Sequence, residues 1–395
     1  MLSQRLLRDH PDVVREGLRR RGEDTEGLQA LEEWLRLDRE RRASAQSGDP
    51  RGPEAQARMA ETAARMQALA LRLPNLPDAR TPAGTSPAQN VELRRWGEIT
   101  PTPFPARTHE QLASTLGILD LPRATKLAGP RFPLLVGAGA QLARALESLL
   151  LDLHCERGYV EVAPPHLLKR ETLEGTGHLP RHADTLFVTE RDRLYLSPTA
   201  EAQLVALHAG ETLPERRLPL AYTASTPCYR REAGSSGAAR RGLLRQRQFD
   251  KVELVRISAP EDADDSFETL IADVERALQV LELPYRVVAL CGGELPFASQ
   301  RTVDLDVWLA GEARYVEIAS ISDCGAFQAR RLTLRYQPRS SRRARYPHTL
   351  NGSALPIGRT IAALLELGQQ ADGSVRLPDA FTPYLRELTL LPAER

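Results

Sequence analysis

The sequence predicts an α+β protein: an N-terminal antiparallel helical hairpin followed by a larger region that mixes strands and helices. Three observations predict it. Two helix-length stretches, 28–46 and a second ending at Leu73, are separated by the breaker run Ser47-Gly48-Asp49-Pro50-Arg51-Gly52-Pro53. Two β-prone segments, 226–231 and 248–254, flank a loop rich in Gly, Ser, Ala and Arg, which reads as an antiparallel β-hairpin with a long tip. Around that hairpin, amphipathic helices at 141–157 and 262–281 are interspersed with strand patterns, such as the alternation of T-V-D-L-D-V-W-L at 302–309.

The bulk properties bound the answer. A chain of 395 residues is long enough for two or three domains and a large core. A hydrophobic content of 42%, a charged content of 27% and a net charge of +1 describe an ordinary globular protein, so any nucleic-acid surface must be a local patch. Only Lys126, Lys169 and Lys251 are lysines; every other basic residue is arginine. Cys155, Cys228, Cys291 and Cys324 stand far apart with no C-x-x-C pair, which argues against zinc and against a disulfide framework. The start of the chain has no apolar signal region and no apolar run approaches spanning length, so the expectation is a cytoplasmic protein with reduced thiols and no membrane partner.

In chain order, residues 1–21 carry Leu2, Leu6, Leu7, Val13, Val14 and Leu18 at helical spacing, broken at Asp9-His10-Pro11. Their basic run, Arg15, Arg19, Arg20 and Arg21, reads as a solvated face or an RNA contact. Leu28, Leu31 and Leu35 form the stripe of the next helix. In its partner Met59, Met66 and Leu73 share one heptad position, and Ala63 and Ala70 the other. So narrow a seam favours a free-standing coiled-coil arm over a pair packed on a body. Residues 73–87, rich in Pro, read as a linker. After the amphipathic helix 141–157 comes the strand pattern G-Y-V-E-V-A-P-P, and R-L-Y-L-S-P-T-A-E at 193–201 is a strand ending in a turn where Thr199 suits a helix cap. Downstream, 314–331 places Glu317 near Ser320, and 348–366 is a strand–turn–helix.

Strand parity makes the β-hairpin chemically interesting. Arg230 and Glu232 share a face, and on the return strand Phe249, Lys251 and Glu253 share another. An arginine, carboxylates and a ring on adjacent strands suit a phosphate, an ammonium group and a purine. An arbitrary charged hairpin is a surface ion-pair ladder; the ordered combination Y-R-x-E…R-G-L-x-R-x-x-Q-F-x-K-V-E is more specific than that.

That combination resembles motif 2 of class II aminoacyl-tRNA synthetases, and in detail that of the seryl-tRNA synthetase family. The resemblance covers nearly the whole chain and is strongest over 131–359. It implies a mostly antiparallel class II sheet flanked by helices, with motif 1 at 141–165 forming a homodimer interface and motif 3 around Arg359. It also implies a helical arm and linker over 1–89 that grips the tRNA, and a catalytic domain over 90–395. The implied activity is ligation of L-serine to tRNA(Ser), and by extension tRNA(Sec), through seryl-adenylate, with ATP as co-substrate and Mg²⁺ as cofactor. By resemblance, Arg230 bridges the α-phosphate and the serine carboxylate, Arg359 holds the γ-phosphate, and Phe249 and Arg359 sandwich the adenine. Glu232 binds the purine, Glu317 and Ser320 hold the metal, and Thr199, Glu201, Glu253 and Ser353 form the serine pocket. The incoming carboxylate is already an anion, so such a site needs arginines and a cation rather than a catalytic triad.

The sequence departs from the family pattern in places. The motif 2 loop carries Ala238, Ala239 and Arg240, Arg247 replaces a histidine, residues 319–323 read A-S-I-S-D, and motif 3 has Ala354 and Pro356. Two alternatives therefore stay open: a paralogue that activates serine or another small amino acid for a different carrier, and a non-catalytic RNA-binding relative.

Overall fold

The computed structural model describes residues 1–23, 25–46, 52–232, 242–385 and 390–392. The Ser47–Arg51 part of the predicted turn and the motif 2 loop residues Ala238, Ala239, Arg240 and Arg241 lie outside the described residues. Four helices open the chain: α1 (Gln4–Asp9), α2 (Pro11–Arg20), α3 (Glu26–Gln46) and α4 (Pro53–Arg72). Ser3 caps α1 by accepting from the Leu6 amide at 3.1 Å, and Pro11 starts α2 where its missing N–H is harmless.

The rest is built on an eight-stranded sheet of β1 (Val91–Trp96), β2 (Val160–Glu161), β3 (Leu220–Tyr229), β4 (Gln248–Ser258), β5 (Tyr285–Ala289), β6 (Arg301–Leu309), β7 (Arg314–Asp323) and β8 (His348–Pro356). Its spatial order is β1-β5-β6-β7-β8-β4-β3-β2. Every neighbouring pair is antiparallel except β2 with β3, as the α+β reading expects. Helices α5 (Ala138–Glu156), α6 (Ala263–Val280) and α7 (Ile357–Gly368) contribute Leu142, Leu146, Leu270, Val274, Ile361 and Leu365 to one core with Val252, Leu254, Leu305, Ile321 and Leu350 of the sheet. Each such side chain, fully buried, contributes about 1.5–3 kcal/mol. Alternation then sets the function of β4. Val252 and Leu254 face that core, so Phe249, Lys251 and Glu253 face the other side, where the cavity lies.

The helical hairpin is free only in its outer half. At its root Leu7, Val14 and Leu18 of α1 and α2, Leu31 and Trp34 of α3, Met66 and Ala70 of α4, and Leu73 just after α4 form a cluster with Phe297 and Phe327 of the main body. Trp34 is 1% exposed, whereas Met59, on the expected seam, is 36% exposed and Ala63 is also exposed. The narrow stripe of Leu28, Leu31 and Leu35 is widened by Trp34 and Leu37, and α1 and α2 supply the surface that covers it. Within this root Asp38 is buried and ion-paired to Arg8, Arg41 and Arg42, and the bond from Arg8, joined by Arg41, draws its carboxyl down to about 2.

The segment read as a linker is pinned. Asn75 is buried and its side-chain amide donates to the carbonyls of Ala298 and Cys324, both at 2.9 Å. From the basic run of α2, Arg20 donates to the Asp78 and Thr81 carbonyls, and buried Arg21 to those of Leu295, Pro296 and Ser299. These two arginines clamp the chain to the body. Among the described residues no helix is long and apolar enough to cross a membrane.

Candidate active site

On the face of the sheet away from α5–α7 lies a cavity of about 520 Å³. All ten residues singled out from the sequence line it: Thr199, Glu201, Arg230, Glu232, Phe249, Glu253, Glu317, Ser320, Ser353 and Arg359. The register explains how. Ala224 of β3 and Ser353 of β8 both stand opposite Glu253 of β4, so the central strand receives side chains from both neighbours. A β-bulge between Ser353 and Pro356, with Leu355 at φ 80°, ends β8 and starts α7, placing Arg359 on its first turn. Gly358 allows the close approach there: a Cβ would sit 2.6 Å from Oε1 of Gln246.

One end of the cavity is a compact polar knot. The Lys251 ammonium is 6% exposed; it is ion-paired with Glu253 and donates to Thr199 Oγ1 at 2.9 Å and Ser353 Oγ at 3.3 Å. Thr199 Oγ1 in turn donates to Glu253 Oε2 at 3.0 Å. Thr199 Oγ1 also accepts from the Glu201 amide at 3.3 Å, but the N-cap of the helix Glu201–Ala206 is Ala200, one residue later, so Thr199 is not the cap its position suggested. Glu201 is held by the Gln328 side-chain amide at 2.7 Å, and Gln328 is fixed by the Thr176 carbonyl and the Thr349 hydroxyl. Burial, and then the nearby Glu253 charge, push the Glu201 carboxyl up to about 7.

The other end is arginine-rich. The Arg230 guanidinium lies 5.2 Å over the Phe249 ring and donates to the Pro198 carbonyl at 3.3 Å. Arg359 is ion-paired to Glu317 at 3.2 Å and donates to the carbonyls of Leu244 and Glu317. Glu232, at positive φ, has its carboxylate paired with Arg245, and its carbonyl accepts from Arg131 at 2.8 Å. Phe249 thus meets Arg230, while Arg359 stands with Glu317.

Two further polar side chains join these residues. Lys251 was legible as a charge sharing a face with Glu253, but not as the joint of the polar knot. Asp304 stands opposite Ser320 in the register of β6 with β7, next to Glu317, and its Oδ1 is buried with no partner among the described residues. Burial, and then Glu317, raise its carboxyl well above the usual range. The D-L-D alternation at 304–306 was the available signal. Two carboxylates and a hydroxyl, one oxygen unpartnered, form an all-oxygen donor set that fits Mg²⁺. Arg240 and Arg241 of the motif 2 loop are outside the described residues.

The arrangement offers two guanidiniums and an oxygen donor set at one end and a buried cluster of Lys251, Glu253, Thr199 and Ser353 at the other. Comparison with known proteins accords with it. The model of the "tRNA synthetase class II core domain (G, H, P, S and T)" matches residues 186–367, which include every cavity residue named from the sequence. The chain is similar to the serine–tRNA ligase of Thermotoga neapolitana, 45% identical with 97% of this chain and 98% of the relative covered. It is equally similar to that of Acidithiobacillus ferrooxidans, 45% identical with both chains wholly covered. Among solved structures, the seryl-tRNA synthetase of Pyrococcus horikoshii complexed with ATP superposes with a TM-score of 0.86 at 32% identity, each chain covered completely. A cytoplasmic serine–tRNA ligase of Naegleria fowleri in complex with AMP shares the fold at a TM-score of 0.91 and 24% identity, over 100% of this chain and 99% of that one. With an α+β sheet that gathers the motif residues into one cavity, and relatives that match from end to end, the chain belongs to the serine–tRNA ligase family of class II aminoacyl-tRNA synthetases.

Proposed function

We propose that the protein activates L-serine with ATP and transfers it to tRNA(Ser). The serine carboxylate attacks the α-phosphorus, forming the mixed anhydride seryl-adenylate and releasing pyrophosphate. A terminal ribose hydroxyl of the tRNA then attacks the serine carbonyl and AMP leaves. Arg230, whose guanidinium lies over Phe249, bridges the α-phosphate and the substrate carboxylate, and Arg359 takes the γ-phosphate; a planar fork gives each anion two parallel donors. Phe249 presents its ring to the adenine, flanked by an arginine, and Glu232 receives the purine edge when it leaves Arg245. Glu317, Ser320 and Asp304 would hold Mg²⁺, which when bound would neutralise charge on the phosphates.

Glu253 and Glu201 receive the ammonium and hydroxyl of serine, with Thr199 and Ser353 closing the pocket and Lys251 orienting Glu253. The observation that carries the reading is the polar knot: three groups of the proposed serine pocket meet at the Lys251 ammonium, deep in the same cavity as two arginines. A homodimer is supported by the position of motif 1, where β2 ends the sheet and leaves Val160 59% exposed. In this reading residues 1–89 serve RNA binding, 90–395 the chemistry, and the enzyme works in the cytoplasm beside its tRNA.

Serine-dependent ATP–pyrophosphate exchange, followed by charging of tRNA(Ser), tests the proposal. Exchange and charging together are expected. Exchange without charging favours a paralogue with another carrier, and neither activity contradicts the enzyme reading.

A further inference from the structure

We infer that the exposed arginines of residues 215–217 and 339–343 form a second contact surface for the phosphate backbone of the tRNA, separate from both the cavity and the helical hairpin. The inference rests on the proposed ligase activity, which supplies a folded RNA as substrate. Thr212–Pro214 and Arg335–Gln337 pair as short parallel strands, so the segments that follow them, Glu215–Arg217 and 338–343, leave side by side. The Arg339 amide donates to Glu215 Oε2 at 2.7 Å, which ties the two segments together, and the Gln337 side chain donates to the Ser341 carbonyl within the second segment.

Arg216, Arg217, Arg339, Arg342 and Arg343 are all exposed, and among the described residues none has a carboxylate within ion-pair distance. Of the acids nearby, Glu261 is ion-paired with Arg345 at 2.6 Å and Glu211 with His208, which leaves Glu215, accepting from the Arg339 amide, as one negative charge beside five arginines. The helical hairpin is the opposite case, with Arg36 on Glu40, Arg41 and Arg42 on Asp38, Arg65 on Glu33 and Arg72 on Glu26. Clustered guanidiniums without counter-charges repel one another, and a polyanion relieves that repulsion.

The chemistry favours RNA backbone over a membrane or an acidic protein. The side chains offered are guanidiniums and the hydroxyls of Ser340 and Ser341, which are phosphate donors, with no apolar residue to insert or to anchor a protein interface. Position agrees. His348, soon after this loop, pairs with Ser258 at the end of β4 remote from Gln248, the strand's start next to the motif 2 loop. Those ends are separated by roughly 33 Å of strand, so one RNA touching both must span at least that distance.

The test uses the full chain with two charge reversals, Arg342→Glu with Arg343→Glu, and Arg216→Glu with Arg217→Glu. RNA-free, serine-dependent exchange is expected to stay within about twofold, which also reports that each variant folds. The KM for tRNA(Ser) should rise about tenfold, and the slope of log affinity against log salt should become shallower by about 1–2. Arg342→Gln with Arg343→Gln should fall between. Charging at wild-type KM with an unchanged salt slope in both variants overturns the inference, as does loss of binding to anionic vesicles with tRNA binding intact. A wild-type protein that exchanges no serine overturns the proposed function itself; normal wild-type charging with indifferent variants overturns only this surface.

Discussion

The cavity and the helical hairpin are both dense in arginine and glutamate, yet those charges do different things. In the hairpin they lie on the surface and are paired within the hairpin, as Arg65 is with Glu33 and Arg72 with Glu26. In the cavity, carboxylates and cations are gathered behind protein walls; Glu201 there has its proton affinity raised, and Asp304, opposite the cavity residue Ser320, keeps a buried oxygen without a partner among the described residues. What separates them is burial and pairing rather than composition. Exposed, paired charges are each worth little, whereas desolvated ones constrain what can bind.

The largest expected effect lies at the hairpin root, not at its charges. Trp34→Ala removes a fully buried ring and should lower unfolding stability by about 3–5 kcal/mol, read by denaturant titration. A smaller loss would mean that the root is not a real core. Next, Arg230→Ala should reduce serine-dependent exchange by about 100-fold or more, corresponding to roughly 3 kcal/mol of charge stabilisation, while stability changes little. Lys251→Met should raise the serine KM about 30-fold with the ATP KM within about threefold. Arg at this position should not restore it, because a guanidinium does not fit between Glu253, Thr199 and Ser353. Equal effects on both KM values would reduce Lys251 to a structural residue.

Proton linkage gives a smaller effect. A carboxyl raised to about 7 is protonated in the empty protein below that pH, whereas the substrate ammonium favours its ionised form. Serine affinity should therefore strengthen between pH 6 and pH 8 by about tenfold or less, and Glu201→Gln should flatten the profile. The same shift means that the stability Glu201 contributes is present below its unfolded pKa, near 4.5, and is lost as pH rises through about 7. Smallest of all, Arg65→Ala at the exposed hairpin should change stability by less than about 1 kcal/mol and charging by less than about twofold, measured side by side with wild type.

The legible part of the molecule was the part whose partners are fixed by strand parity and motif order. Arg230, Phe249 and Glu253 could be placed together because alternation on β3 and β4 leaves little choice. What stayed hidden depends on contacts distant in sequence. Nothing near Asn75 announces that Cys324 will accept its amide, nor that Arg21 will be buried against Leu295, so one read as linker and the other as surface. Trp34 and Leu37 look like incidental additions to a leucine stripe until α1 and α2 cover them. Asp304 reads as half of an ordinary strand alternation; only the register of β6 with β7 brings it to Ser320.

The central claim is that the cavity is shaped for an activated serine, and its most direct test is calorimetric titration with a non-hydrolysable sulfamoyl analogue of seryl-adenylate. The account predicts tight binding that Arg230→Ala weakens by about 100-fold or more. It also predicts that the alanyl analogue binds about 5- to 150-fold more weakly for each buried hydroxyl partner left unpaired. Equal affinity for the seryl and alanyl analogues, or binding indifferent to Arg230, would contradict it.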